Sequence, residues 1–248
     1  MRLLRLFPPL TSGGPQFRAL ALAVAAGTVL GGCSGSGDDD VPPPIHTPPP
    51  GATTFTADQL RQALLADIPH YVRAGEPDAG PYGMLKAVRN FTQLQSQVKL
   101  DKPECADATR ALADAGELAA APAALSTWAR ATGETITQTL VAVPPQVAER
   151  EVGRRVPKLC RTFKARVGGQ WSTHQVVEQT PDRHLVGEGS RTVGLVTMSG
   201  DVKVNMWFVV FTSPGYLGTV SVYGPKATRA EAERLARDAV AQTERVLG

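Results

Sequence analysis

The segment at residues 201–211, DVKVNMWFVVF, limits the possible folds of this chain more than any other stretch. Side chains alternate between the two faces of a β-strand. One face of this segment would carry Val202, Val204, Met206, Phe208 and Val210, and the other Trp207, Val209 and Phe211. Because both sets are apolar, both faces need to be covered from water. The sequence therefore predicts a central strand with packed layers on both sides of the sheet.

Neighbouring segments indicate that this strand belongs to an antiparallel meander. The turn sequences MSGD at 198–201 and SPGY at 213–216 flank it. No helical pattern separates the last strand-like segments, and short connections favour antiparallel pairing. Alternating apolar residues predict further strands near residues 134–143, 161–167, 171–179, 191–198 and 216–223.

Two capping boxes mark helix starts near the two ends of this region. Thr56 with Gln59 precedes a short amphipathic helix from residue 57, and Thr228 with Glu231 precedes a longer one from residue 229. The apolar stripe of the last helix, which we expect to pack on the sheet, comprises Ala232, Leu235, Ala236, Ala239, Val240, Thr243 and Val246. Apolar spacing predicts two more helices, at 103–115 and 145–156.

The remaining segments give weaker signals. HYVRA at 70–74 is compatible with a short strand, and the Gly and Pro density of GEPDAGPYG at 75–83 indicates an exposed loop. Residues 84–100 are compatible with either helix or strand. An alanine-rich stretch with Pro122 is interpreted as a connection. Together these segments predict an α+β domain with an antiparallel sheet of about five to six strands flanked by helices.

The beginning of the chain has the pattern of a targeting sequence. Three arginines, Arg2, Arg5 and Arg18, flank or precede an apolar run at 19–30, which is too short to span a bilayer but typical of a secretory signal. The run ends in Leu30-Gly31-Gly32-Cys33, which resembles the lipobox of bacterial lipoproteins. That resemblance implies cleavage after Gly32, a diacylglycerol thioether on Cys33, and attachment to the extracytoplasmic face of the cell membrane.

We therefore expect three parts in the chain. Residues 1–32 are the lipoprotein signal peptide, 33–54 the lipidated cysteine with a spacer rich in Pro, Gly and Ser, and 55–248 a single domain. The spacer has little to bury, and at about 3 Å per residue it would reach at most roughly 60 Å from the membrane.

Charge and cysteine content limit the partners. The chain has 26 Lys and Arg and 23 Asp and Glu, and removal of residues 1–32 takes away three arginines and no acid, leaving 23 of each. This neutral balance, without a basic stripe in the sequence, predicts no nucleic-acid partner.

Cys105 and Cys160 would be exported to an oxidising compartment, where a disulfide is the simplest state and two separate buried thiols the alternative.

The order of features resembles the extracellular sensor-like domains of actinobacterial lipoproteins, a domain type that also forms the outer part of some membrane Ser/Thr kinases. The resemblance covers about residues 55–248 and rests on the segments DQLRQALL, PPQVAERE and VSVYGPKATRAEAERLARDAV, together with the two cysteines. It implies a curved sheet with a cleft and a ligand-binding role without established catalytic residues.

Motifs for chemistry are sparse. The sequence has no C-x-x-C, H-E-x-x-H or G-x-S-x-G motif, so we expect neither a metal site nor a cofactor. The best catalytic candidate is a hairpin that brings His174 and His184 together with Glu178 or Asp182. Candidate ligand contacts are Trp207, Phe211, Trp171 and His174, with plain core packing as the alternative for Trp207.

The sequence thus favours a membrane-tethered, non-catalytic module that binds a small envelope molecule or a partner protein. A cell-envelope hydrolase using the histidine pair is one alternative. A structural scaffold lipoprotein is the other.

Overall fold

The computed structural model describes residues 55–108, 110–112, 115–178 and 185–248. The predicted signal peptide, Cys33 and the spacer up to residue 54 lie outside these ranges. Asp182 and His184, two members of the catalytic candidate, also lie outside them.

The described residues form one open sheet of ten strands in the order β1-β4-β5-β10-β9-β8-β7-β6-β3, with β2 also paired to β4. Every pairing is antiparallel. The strands are β1 (Val72–Arg73), β2 (Asp78–Pro81), β3 (Lys99–Leu100), β4 (Pro122–Ala129), β5 (Thr135–Ala142), β6 (Thr162–Val167), β7 (Gln170–Glu178), β8 (Gly189–Ser199), β9 (Val202–Ser213) and β10 (Tyr216–Gly224).

Helices flank the sheet on both faces. The α-helices are α1 (Ala57–Ala63), α2 (Lys86–Gln95), α3 (Ala115–Leu118), α4 (Pro145–Gly153) and α5 (Arg229–Leu247). Short 3₁₀ helices occupy Tyr82–Met84, Pro103–Cys105 and Lys158–Arg161. None of the helices in the described ranges is long and apolar enough to cross a membrane.

The α+β class and the antiparallel pairing are confirmed, but the predicted number of strands is wrong. The alanine-rich stretch interpreted as a connection is β4, and part of the predicted exposed loop is β2. Pro122 is the first residue of β4, where a proline is tolerated in a sheet. Ala123 and Ala124 are fully buried on opposite faces. Both strands are set by pairing with neighbouring strands, β2 with β4 and β4 also with β5, which local propensity does not report.

The predicted helix at 103–115 is also wrong. A 3₁₀ helix at Pro103–Cys105 and the short α3 stand at the two ends of that segment. Between them, the Arg110 carbonyl accepts a hydrogen bond from Arg154, and the Ala111 carbonyl accepts one from Arg191. These tertiary bonds use backbone acceptors that a helix would use within itself. Residues 84–100, ambiguous in the sequence, contain both α2 and β3.

The prediction of a central strand covered on both sides is confirmed for the second half of β9. Val209 and Phe211 lie in a core between the sheet and helices α1 and α5. Phe208 and Val210 lie in a second core on the other face, beneath α4 and the segment that precedes β4. The first residues of β9 are uncovered, and Val202 is 61% exposed.

Helix α5 closes the first core as its sequence predicts. It begins after Thr228, whose side chain accepts a hydrogen bond from the Glu231 backbone N–H at 3.2 Å. Its apolar stripe is buried from Ala232 to Thr243, while Val246 is exposed near the end of the helix. The Tyr71 hydroxyl donates to the Glu231 carboxylate at 3.1 Å, which ties the turn before β1 to this helix.

Two glycines let aromatic rings lie flat on the sheet. A Cβ on Gly194 of β8 would lie 2.7 Å from the Trp207 ring, and a Cβ on Gly218 of β10 would overlap the Phe211 ring. Each glycine is the cross-strand partner of the aromatic residue that covers it. The absence of a side chain at these positions makes room for the two rings under α5.

The Cys105–Cys160 disulfide is confirmed. It joins the 3₁₀ helix at Pro103–Cys105 to the one at Lys158–Arg161, immediately before β6. Both cysteines are almost fully buried in the second core. The bond therefore fixes the segment that covers this face to the beginning of the β6–β7 hairpin.

Removal of the disulfide tests how much this closure contributes to stability. The bridged residues are 55 apart in sequence, so we expect the Cys105→Ser/Cys160→Ser variant to lose about 4 kcal/mol of unfolding free energy on the chain-entropy model. Urea unfolding of the variant and of chemically reduced wild type should give the same decrease. A decrease below about 1 kcal/mol would contradict the prediction.

A cross-strand glycine gives the second stability test. Gly218→Ala should lower the unfolding free energy by about 1–3 kcal/mol, because the Phe211 ring has to move. Gly153→Ala in the last turn of α4 is the matched control, since a Cβ there meets nothing within 4 Å. The control should be neutral or stabilising by up to about 1 kcal/mol. Equal stability of the two variants in urea unfolding would refute the packing argument.

Candidate functional site

A cavity of about 320 Å³ lies between α2 and the sheet face that forms the second core. Its floor comes from β4, β5, β9 and β10, and its walls come from α2, Tyr82 and residues 110–112. Small-molecule sites in proteins begin at about this volume. The lining residues are Tyr82, Ala87, Val88, Phe91, Thr92, Arg110, Ala111, Leu112, Leu125, Thr135, Thr137, Thr139, Met206, Phe208, Thr219, Ser221 and Tyr223.

The floor carries a ladder of hydroxyl groups. The register of β5 and β10 makes three cross-strand pairs, Thr139 with Thr219, Thr137 with Ser221, and Thr135 with Tyr223. We call these six residues the hydroxyl ladder. Over the four residue steps from Thr135 to Thr139 it extends about 14 Å along the strands. Each hydroxyl is both a donor and an acceptor, so the ladder offers a row of hydrogen-bonding groups to anything in the cavity.

Burial changes steadily along the ladder. Thr139 and Thr219 at one end are 6% and 4% exposed, whereas Tyr223 at the other end is 48% exposed. Leu125, the partner of Thr139 on β4, lies at the buried end. The cavity therefore opens to solvent near Tyr223 and ends against apolar side chains near Leu125.

The hydroxyl ladder lines the cavity, so its hydroxyl groups are open to it. Within the described ranges, Thr137 Oγ1 also lies 3.4 Å from Thr127 Oγ1. The ladder can therefore bond to water or to a bound molecule in the cavity.

Helix α2 covers the ladder loosely. Ala87, Val88 and Phe91 line the cavity from this helix, but no residue of α2 is fully buried. The first turn is held by Asp78 of β2, whose Oδ2 accepts a hydrogen bond from the Lys86 backbone N–H at 2.6 Å. A carboxylate at a helix N-terminus stabilises it both as a cap and through the helix dipole. One side of the cavity is therefore a helix attached mainly at its beginning.

Two polar side chains modify the opposite wall. Arg110 contributes a positive charge, with its Nε 3.5 Å from Asp107 Oδ1. Burial, together with the negative charge of Glu151, raises the pKa of Tyr82, and Arg110 opposes that effect. Tyr82 therefore keeps its phenolic proton and can donate a hydrogen bond into the cavity.

Buried arginines fix this wall. Arg191 of β8 is 2% exposed, and it donates from Nε to the Glu151 carbonyl at 2.8 Å and from Nη2 to the Ala111 carbonyl at 2.7 Å. Arg154 donates from Nη2 to the Arg110 carbonyl at 2.6 Å. Burial and the adjacent Arg154 lower the pKa of Arg191 to about 10, so it stays charged near neutral pH. These bonds hold residues 110–112 beside the ladder.

The predicted ligand contacts Trp207 and Phe211 lie on the face of β9 opposite the cavity. Phe211 is fully buried under α5, and Trp207 packs against the same core over Gly194. Their neighbours Met206 and Phe208 line the cavity instead. Alternation along β9 separates the two sets, since consecutive side chains of a strand face opposite ways.

The other two predicted contacts, Trp171 and His174, lie on β7 and not in the cavity lining. Trp171 is 46% exposed, with the Arg166 guanidinium 5.5 Å from its ring centroid. His174 stacks on Phe163 with a centroid distance of 5.0 Å. The structure therefore does not bring the four predicted residues together in one site.

Both ring nitrogens of His174, the histidine of the hydrolase hypothesis, lie within hydrogen-bond distance of hydroxyl groups. His174 Nε2 lies 2.8 Å from Ser172 Oγ, and Nδ1 lies 3.0 Å from Thr197 Oγ1. Burial lowers its pKa, which favours the neutral ring. Glu178, four residues further along β7, accepts a hydrogen bond from the Val156 backbone N–H at 3.1 Å. Across the described ranges, no three His, Cys, Asp or Glu side chains are grouped as metal ligands.

Sequence reasoning missed the hydroxyl ladder, although the period-two pattern of hydroxyl residues is present in both of its strands. Threonines recur with a period of two in TITQT at 135–139, and hydroxyl residues do so in TVSVY at 219–223. The pattern identifies one polar face on each strand. Only the pairing of β5 with β10 shows that the two polar faces coincide.

No protein-family model and no curated protein sequence matches this chain. The extracellular domain of PknH from Mycobacterium tuberculosis matches with a TM-score of 0.54 and 12% identity, covering 77% of this chain and 97% of that domain. An uncharacterized Mycobacterium smegmatis protein, an Rv0999 ortholog, matches with a TM-score of 0.43 and 14% identity, covering 75% of this chain and 97% of that one. The first likeness shows that this chain shares the fold of the PknH extracellular domain, in agreement with the resemblance to sensor-like extracellular domains.

Proposed function

We propose that this protein is an extracytoplasmic lipoprotein whose non-catalytic domain binds a small amphipathic envelope molecule in the cavity above the hydroxyl ladder. The observation that carries the proposal is the ladder itself. It is a row of hydroxyl groups on the floor of the cavity, beneath a helix that covers it loosely.

The chemistry of the lining supports a ligand with one polar and one apolar side. The floor presents the hydroxyls of β5 and β10, while α2 contributes Ala87, Val88 and Phe91. Such a ligand would satisfy the ladder and keep its apolar side against the helix. Arg110 adds a positive charge that would favour a ligand with an anionic or strongly polar end.

The lining also favours binding over catalysis. It consists of threonine and serine hydroxyls, aliphatic and aromatic groups, two tyrosines and one arginine. Hydroxyls of this kind act as nucleophiles when a general base lies beside them. His174, the histidine of the hydrolase hypothesis, does not line the cavity. It contacts Ser172 and Thr197 on β7 and β8.

The proposed location rests on the beginning of the sequence and on the fold. The lipobox-like Leu30-Gly31-Gly32-Cys33 would supply a lipid anchor. The fold is that of an extracellular domain, and the disulfide suits an oxidising compartment. A spacer of roughly 60 Å would place the cavity within the envelope, near molecules of the membrane surface.

Ligand binding can be tested with the mature chain from Ser34, kept with its disulfide intact. Native mass spectrometry after incubation in envelope extract should show a discrete retained mass. Thr137→Val, combined with Ser221→Ala, removes one rung of the ladder with little change of shape. Two neutral hydrogen bonds contribute about 0.5–1.5 kcal/mol each, so the retained fraction should reflect binding weaker by about 5-fold to 150-fold.

Thr173→Val is the matched control for this experiment. Thr173 is an exposed strand threonine on β7, on the opposite face of the sheet. Its loss should leave the retained mass unchanged. A bare protein mass in several extracts, or equal weakening by control and ladder variants, would count against the cavity and favour a partner protein.

The anchor is tested separately with Cys33→Ser. Membrane fractions should contain the wild-type protein, whereas the variant should appear in the soluble fraction, because the serine hydroxyl does not take the thioether-linked lipid. Ser36→Ala in the same segment is the control and should stay with the membrane. Equal membrane association of Cys33→Ser and wild type would exclude the proposed anchor.

A further inference from the structure

One part of the sheet is not covered by any helix of the described ranges. On the α5 side, α5 packs on β8, β9 and β10, while the surfaces of β6 and β7 and the ends of β8 and β9 remain open. The side chains on this open surface include Lys99, Lys164, Arg166, Trp171, Met198 and Lys203. We call these six residues the basic face.

Strand register places the six side chains next to each other. Lys99 pairs with Arg166, and Arg166 pairs with Trp171. In the next row, Lys164 pairs with Thr173, Thr173 with Met198, and Met198 with Lys203. Paired residues on antiparallel strands point to the same side of the sheet about 5 Å apart. Four cations from β3, β6 and β9 therefore lie within two adjacent rows.

The charges of the basic face are not neutralised by ion pairs. In the part of the chain that the structure describes, no carboxylate forms a salt bridge with Lys99, Lys164, Arg166 or Lys203. Two acids lie at its margin. Asp101 Oδ1 accepts a hydrogen bond from the Lys164 backbone N–H at 2.7 Å, and Asp201 is exposed in the β8–β9 turn. The cations outnumber them, so the face carries a net positive charge.

Two exposed apolar side chains accompany the charges. Trp171 is 46% exposed and Met198 is 41% exposed, and both lie near the hairpin ends at Gly168–Gly169 and Gly200. The Gln170 Nε2 donates to Ser199 Oγ at 3.0 Å, which holds the two hairpin ends together. Tryptophan flanked by lysine and arginine is the composition that favours a membrane interface, where the ring enters the headgroup layer and the cations contact anionic lipids.

The beginning of the domain lies on the same side of the sheet. Phe55, the first described residue, contacts Tyr216 of β10 edge to face, with centroids 6.4 Å apart, in the core beneath α5. Tyr216 pairs with Ser213 at the end of β9, whereas Met198 pairs with Lys203 near its beginning. The basic face therefore lies about 34 Å along the strands and about 15 Å across them from this contact. The 21 residues between Cys33 and Phe55, at about 3 Å each, are long enough for this side of the domain to reach a membrane that holds Cys33.

We propose that the basic face docks on an anionic lipid bilayer. Charge complementarity carries the proposal: among the described residues, four cations without ion pairs lie near an exposed tryptophan on a sheet surface that no described helix covers. In the docked state Trp171 and Met198 lie in the headgroup layer, and the cavity, on the opposite face of the sheet, stays directed away from the bilayer. The sequence does not reveal the basic face, because its cations come from separate strands.

Vesicle binding of the unlipidated mature chain from Ser34 tests this directly. The protein should sediment with vesicles of equal parts phosphatidylcholine and phosphatidylglycerol, but not with phosphatidylcholine alone. Binding should disappear at about 0.5 M salt, where charges are screened within a few ångströms. Lys164→Gln/Lys203→Gln should weaken partitioning by about 25-fold, since each cation near an anionic surface contributes about fivefold.

Lys86→Gln/Arg89→Gln is the matched control. These two exposed cations of α2 lie on the opposite side of the sheet, and their removal changes the net charge by the same amount. The control should partition as wild type does. Equal weakening in both double variants would mean that net charge, and not the basic face, attracts the vesicles, and would overturn the proposal.

Tryptophan fluorescence measures whether Trp171 enters the bilayer, and this measurement does not depend on charge. Trp171 emission should shift to shorter wavelength when anionic vesicles are added, because the indole leaves water. Trp128 is 1% exposed and Trp207 is packed in the core, so the shift should be absent in Trp171→Phe. Binding without a Trp171-dependent shift, or binding to soluble dextran sulfate but not to anionic vesicles, would overturn bilayer docking.

Discussion

The burial of β9 on both faces is the constraint on which the rest of the domain depends. Phe208, Val209, Val210 and Phe211 are each at most 1% exposed. Consecutive apolar residues in a strand need two separate layers of cover, since they point in opposite directions. Helix α5 supplies one layer, and α4 with the disulfide-bonded segment before β4 supplies the other. The disulfide and the buried arginines hold that second layer in place, because the segment contains little regular helix of its own.

The cavity follows from how the second layer is built. Threonine is favourable in strands because its branched side chain fits the pleated surface, and its hydroxyl is tolerated where it can find a partner. A tightly packed apolar helix over the ladder would leave those hydroxyls without partners. Helix α2 instead lies above them with no fully buried residue and with its first turn bonded to Asp78. The loose packing of α2 and the polar floor of the cavity therefore depend on each other.

The parts of the fold that the sequence predicts are those with strong local signals. The apolar period of β9, the cap and stripe of α5, and the two cysteines each identify an element or a bond without knowledge of its neighbours. The alanines of β4 and the glycine and prolines around β2 carry the opposite local preference, and they become strands through pairing, β2 with β4 and β4 also with β5. The cavity depends on pairing as well, because Thr139 meets Thr219 only through the β5–β10 register. Trp207 shows most directly what the sequence pattern leaves open. Alternation along β9 predicts which residues share a face with Trp207, but not which of the two faces holds the cavity.

Register therefore determines which face each chemical group occupies. Met206 lines the cavity and Trp207 packs under α5, and a shift of β9 by one residue would exchange them. The same shift would move Lys203 off the basic face. Gly194 and Gly218 oppose such a shift, because only in the observed pairing do they lie beneath the rings of Trp207 and Phe211. A Cβ at Gly194 would lie 2.7 Å from the Trp207 ring, and a Cβ at Gly218 would overlap the Phe211 ring. The packing that stabilises the α5 core thus also separates the cavity on one side of the sheet from the basic face on the other.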